Sequence, residues 1–216
     1  PAEPRQLGTR FAAKNFATDL TRIALGWQIP GESHADKPAL DVLAFLLGSG
    51  RSSRLYQELR EKKALAHYVW AGAWCAPEVG LFNVEAECNP ADAEKLKKGM
   101  LEVIATMQKT GPGRAELQKA VCATLSGQMR TLSTVKGQAG SLGNGWLLSG
   151  SLDYQRQFLK AISALTPEVI RDAARRYLNP EAMSTVVVGD DVEAGTKAKS
   201  TADSARPEIQ RFKLKN

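Results

Sequence analysis

Between Thr21 and Trp27 apolar and polar residues alternate, with Ile23, Leu25 and Trp27 on one face. A period of two predicts a strand, and Pro30-Gly31 ends it. Asp36 then precedes a helical pattern with Pro38 in its first turn. Leu40, Leu43, Ala44 and Leu47 form its apolar stripe, and Gly48-Ser49-Gly50 stops it. Residues 53–62 predict a second, short helix with Leu55 and Leu59 one turn apart. Two β-like runs follow, 65–75 and 81–88, with Pro77 and Gly80 between them. They predict an antiparallel hairpin. In the second run Phe82, Val84, Ala86 and Cys88 share one face, while Asn83, Glu85 and Glu87 share the other. One side is therefore expected to be core and the other wet.

Asn89-Pro90 opens a long helix whose stripe is Leu96, Met100, Ile104 and Met107. Gly111-Pro112-Gly113 breaks it. Residues 114–148 read as helical but are interrupted by Gly127, Gly137, Gly140, Gly143 and Gly145. Further helices are expected at 153–162 and from Thr166-Pro167 to Leu178, then a strand at 184–188. Residues 1–14 are polar and carry Pro1 and Pro4, which suits a linker. Residues 191–216 form a basic polar tail, expected to be disordered. No internal repeat or second apolar cluster shows. This order predicts one α+β domain over residues 15–190: one largely antiparallel sheet with helices packed on one face.

Composition narrows the chemistry. The 216 residues are 43% hydrophobic and 24% charged, ordinary for a globular domain. The longest apolar run, Val42 to Leu47, is too short for a membrane span. A first residue of Pro1 fits a processed product or a piece cut from a longer chain. The compartment is therefore unread, with bacterial periplasm or cytoplasm the guess. A net charge of +6 permits contact with nucleic acid. The four tryptophans are not interleaved with Lys and Arg, so no nucleic-acid partner is expected. Three cysteines make no disulfide framework, leaving a Cys75–Cys88 bridge or free buried thiols. His34 and His67 lie far apart, and neither H-E-x-x-H, H-x-x-E-H nor C-x-x-C occurs. The chain is expected to hold no metal and no other cofactor. The glycines at 140–145 lack the G-K-[ST] of a phosphate loop and read as a helix interruption. Nothing here makes a self-contained active site.

Two stretches carry a resemblance. Residues 46–69, LLGSGRSSRLYQELREKKALAHYV, and 166–180, TPEVIRDAARRYLNP, leading into TVVVG at 185–189, resemble the C-terminal, non-catalytic half of the insulinase (pitrilysin) family of zinc metallopeptidases. The resemblance implies a processing-peptidase-like fold and two related halves that close into a chamber. The N-terminal half, in the same polypeptide or a separate subunit, would carry the inverted zinc motif and the zinc. The C-terminal half would close the chamber and bind the peptide substrate. An inactive scaffold subunit of the same fold is the alternative. In the processing branch a glycine-rich loop precedes the "SRLY" segment; Gly48-Ser49-Gly50 matches its place but is much shorter. An arginine at the end of the "ELR" helix and a tyrosine on the next strand reach toward the catalytic centre. Arg60 matches the arginine. His67 holds the usual place of the tyrosine, and Tyr68 follows it. Neighbours on a strand point to opposite faces. Either Tyr68 reaches the chamber through a bulge, or His67 donates the hydrogen bond instead. The substrate-binding residues so implied are Arg60, Tyr68 and His67, with no catalytic residue in this chain.

Overall fold

Alternation builds the sheet as expected, and the two faces of the hairpin are as different as the pattern implies. The structure, a computed structural model, describes residues 4, 6–190 and 192. Among them five strands form one sheet: β1 (Arg10–Asn15), β2 (Thr21–Pro30), β3 (Tyr68–Cys75), β4 (Val79–Cys88) and β5 (Ser184–Gly189). Their order is β1-β5-β2-β4-β3. Neighbours are antiparallel except β1 and β5, which run parallel. Phe82, Val84, Ala86 and Cys88 are buried, while Asn83, Glu85 and Glu87 are only half-covered.

The helices are α1 (Lys37–Gly48), α2 (Ala93–Thr110), α3 (Arg114–Leu132), α4 (Val135–Ser149), α5 (Tyr154–Ser163) and α6 (Pro167–Tyr177). The core lies between the sheet's buried face and helices α1, α2 and α6. Ile23, Leu25 and Trp27 meet Leu40, Leu43, Met100, Ile104 and Ile170 there. Helix α1 passes so close to β3 that a Cβ on Gly48 would lie 2.1 Å from the Ala71 nitrogen. Only glycine permits that crossing. Lys37 is buried at the start of α1, 2.5 Å from Asp41 and 3.6 Å from Glu32. Burial alone would push its ammonium pKa down, but the two carboxylates hold it above the ordinary value.

Four expectations need correction. Residues 10–14 of the expected linker belong to β1. This edge strand is exposed at five of its six positions, so it has no alternation to read. Its partner β5 lies far along the chain. The short helix is a π-helix, Tyr56–Lys62, closed by the Lys63 N–H donating to the Glu58 carbonyl. The 65–75 run begins as a strand only at Tyr68, because the Leu65 and Ala66 amides both donate to the Leu59 carbonyl. The break in 114–148 falls at Ser133-Thr134 rather than at the glycines. Thr134 Oγ1 caps α4 by accepting from the Gly137 amide at 3.0 Å. A Cβ on Gly137 would sit 1.8 Å from the Thr131 carbonyl oxygen, so this glycine allows the tight α3–α4 turn. Cys75, Cys88 and Cys122 are all free thiols. Apart from Val192, the expected 191–216 tail lies outside the described residues.

Candidate functional site

The 53–62 segment divides into residues that hold it and residues that face outward. Ser53 is buried and its hydroxyl donates to the Gly50 carbonyl at 2.8 Å. Arg54 grips both Glu116 oxygens at 2.8 Å and donates to the Gly111 carbonyl at 2.7 Å. This fork ties the segment to the turn between α2 and α3. Burial would raise the Glu116 carboxyl pKa, but Arg54 holds it below the usual carboxylate range. Leu55 and Leu59 are fully buried. Those four residues are architecture.

Arg60 is what remains. It is exposed, and its guanidinium lies 5.2 Å from the centroid of the Tyr56 ring. Among the described residues no carboxylate forms an ion pair with it; Glu61 beside it reaches Arg51 instead, at 3.8 Å. The π-helical winding presents Arg60 outward while Leu59 stays in the core and Tyr56 packs half-buried against it. A cleft of about 500 Å³ next to the segment is lined by Arg54, Gln57, Glu58, Lys63 and Glu102, and Arg60 is not part of its wall.

His67 and Tyr68 part company. The Tyr68–Glu87 to Cys75–Gly80 register is regular, so β3 has no bulge. Val69 and Ala71 point into the core, and Tyr68 therefore stands on the open face. The bulge that one of the two alternatives invoked for Tyr68 is absent from β3. His67 precedes the strand, and its Nε2 lies 3.1 Å from Asn89 Oδ1. No hydrogen bond among the described residues joins Arg60 to either of them.

The open face sets two residues beside Tyr68 that the sequence did not single out as site residues, Trp70 and Trp74. Tyr68, Trp70 and Trp74 line one side of β3, all three exposed. The Trp70 ring lies over Gly72: a Cβ there would meet it at 2.2 Å. Tyr68 pairs with Glu87 and Trp70 with Glu85; beyond them on β2, Glu87 pairs with Arg22 and Glu85 with Ala24. Arg22 Nε donates to Glu87 at 2.8 Å, which holds the guanidinium firmly cationic. Asn83 Nδ2 donates to Glu85 at 3.4 Å. The signal for this face was the period-two series Tyr68, Trp70, Gly72, Trp74.

The donors present do not fit a zinc ion. Among the described residues no group of three His, Cys, Asp or Glu side chains is placed to hold a metal. His34 Nδ1 accepts from the Asp36 amide at 3.1 Å, in a turn far along the chain from His67. Burial pushes the Cys75 and Cys88 thiols up to about 11, away from the thiolate a metal needs. Also among the described residues, no helix is long and apolar enough to cross a membrane.

The profile of the peptidase M16 inactive domain matches residues 1–123. The zinc protease PqqE of Helicobacter pylori is 33% identical over 162 residues, covering 73% of this chain and 36% of that protein. The chain thus spans about a third of the length of the curated relatives it matches. A crystal structure of a protease from Helicobacter pylori superposes with a TM-score of 0.81 at 28% identity, over 87% of this chain and 45% of that one. The inactive peptidase domain of a putative zinc protease from Bordetella parapertussis gives a TM-score of 0.71 at 20% identity. There the match covers 80% of this chain and 93% of the other, a likeness of fold between chains of similar length.

Proposed function

This chain belongs to the peptidase M16 family, as its inactive domain, and from that premise we propose that it is the substrate-holding half of a zinc metallopeptidase. In this reading a zinc-bearing half completes the enzyme, and the two close around a peptide. The metal supplies the activated water on the other half; the residues here bind and orient the chain being cut.

The observation that carries the reading is the uncovered sheet face with the free Arg60 beyond its edge strand. The core that helices α1, α2 and α6 close lies against the other face of the sheet. Arg60 has no ion-pair partner among the described residues. A guanidinium can grip a peptide carbonyl or carboxylate with two parallel donors. The Tyr56 ring limits where that fork points. The Tyr68 hydroxyl is a second donor. Negative charge develops on the carbonyl oxygen as an amide is hydrolysed, and donors aimed there lower the barrier. His67 is the weaker candidate of the three, since Nε2 already has Asn89 as partner.

The test is Arg60→Ala in the enzyme with both halves. Zinc content and melting temperature should stay unchanged, while kcat/KM falls about 10²–10³-fold, the scale for losing one aimed donor. Tyr68→Phe should lower it further and His67→Ala hardly at all. Full activity in all three would leave the domain as a wall of the chamber, the scaffold role.

A further inference from the structure

We propose that the outward face of α4 is where this domain docks onto the zinc-bearing half of the same polypeptide. This rests on the reading that such a half exists, and it adds the surface that holds the two together. Val135, Leu142, Trp146 and Leu147 are 84%, 50%, 61% and 76% exposed. Positions 135, 142 and 146 recur at helical spacing and form one stripe, with Leu147 beside it. Between Val135 and Ser149 the only charged side chain is Lys136.

Helix α6 shows how this chain builds a helix face meant for water. Its exposed side carries Glu168, Arg171, Asp172, Arg175 and Arg176. Helix α4 has nothing comparable. Exposed apolar side chains grouped without charge mark contact surfaces more often than scattered ones do.

The backbone makes the same point independently. Helix α4 holds glycines at 137, 140, 143 and 145. Gly140 and Gly143, with open space around them, weaken the helix interior relative to alanine, and helices of this length depend on packing rather than propensity. Yet Gly145 is its one fully buried residue. Around Gly140 and Gly143 an added Cβ would meet nothing within 4 Å, so a partner's side chains can approach the bare backbone. Such a helix is completed by a surface that this chain does not supply.

The length of the relatives indicates the occupant. This chain accounts for only 36% of the Helicobacter pylori protease it matches. A tethered body in the remainder meets α4 at high effective concentration, which favours it over a free partner.

Backbone amide exchange tests this without a substitution. The 216-residue chain, similar in fold and length to the Bordetella parapertussis domain, is the reference state, and protection of its β2 and β4 shows that it is folded. Residues 135–149 should exchange about 10²-fold more slowly in the two-half protein than in this chain, with β2 and β4 equally protected in both. Trp146→Lys in the two-half protein should return α4 to fast exchange and leave β2 and β4 protected. Equal α4 exchange in the two wild-type proteins would overturn the proposal. So would protection in this chain that grows with its concentration, which would assign the face to a second copy. Zinc content of the two-half protein tests the underlying reading separately: a protein without zinc refutes the peptidase role and leaves the exchange result readable.

Discussion

Strand β3 and helix α4 both leave large apolar side chains in water, in different company. On β3 the exposed Tyr68, Trp70 and Trp74 stand beside Glu85, Glu87 and Arg22. Along α4 Lys136 is the one charged side chain. The supports differ too. The backbone of β3 is fixed by eight registered pairs with β4. Helix α4 carries four glycines and only one fully buried residue. A mixed aromatic and charged face is stable when wet and can take up and release a ligand. An uncharged apolar face has the makeup of a lasting contact. Exposure alone does not separate these roles; the neighbours do.

The largest expected effect lies under the β3–β4 face. Phe82→Ala should cost about 3–5 kcal/mol in urea unfolding, because it opens a cavity in the core. Glu85→Ala, on the other side of the same strand, should stay within about 0.5 kcal/mol. Comparable losses would mean that the wet and dry sides of β4 are misassigned.

Next is the clamp that seats the 53–62 segment beside β3. Glu116→Gln should cost about 1 kcal/mol at pH 7, a figure held down by the pair's partial exposure. The Glu116 carboxyl pKa is lowered in the folded state. Its contribution is therefore complete above the ordinary carboxyl value of about 4.5 and fades as pH falls through the folded value. Wild type and variant should converge in acid. A gap of unchanged size at pH 2 would show that Arg54 is not its cause.

A pair of glycine substitutions sharpens the comparison directly. Gly143→Ala on α4 meets open space and should stabilise this chain by about 0.5–1 kcal/mol. Gly72→Ala on β3 pushes its Cβ into the Trp70 ring, which must swing off the sheet. Stability should change by less than about 1 kcal/mol, while acrylamide quenching of tryptophan fluorescence rises. Unchanged quenching would place the ring elsewhere.

The smallest effect is chemical. At pH 8 Cys122, exposed on α3, should react first with a thiol reagent. Cys75 and Cys88, held up to about 11 by burial, should lag. Three equal rates would mean that the sheet end near Cys75 opens readily.

Much of the fold was legible along the chain, and the reason is local. Phe82, Val84 and Ala86 alternate with Asn83, Glu85 and Glu87, and that alternation draws the boundary between core and water residue by residue. The Pro, Thr and Asn punctuation likewise marked most helix starts. Even there the side chains had other partners. Asp36 accepts from the Tyr177 hydroxyl at 2.6 Å and Asn89 meets His67, so neither caps the helix it precedes. Strand β1 was invisible because an edge strand is stabilised by its partner's hydrogen bonds and not by its own pattern.

The candidate site divides the same way. The 46–69 stretch identified the family from its residue order. It passed over Arg54 and named Arg60 on the same short segment, without showing how their surroundings differ. Only the folded chain brings Glu116 to the first and leaves the second facing solvent. Tyr68 and His67 were ambiguous for a related reason: a face is defined by what packs against it. Both are exposed, and it is pairing with β4 that puts Tyr68 on the open face of the sheet while His67 precedes the strand. Sequence determined the elements and their sidedness, because both follow from neighbours within a few residues. Tertiary structure alone decided which polar and apolar groups were left without partners, because partners come from distant parts of the chain.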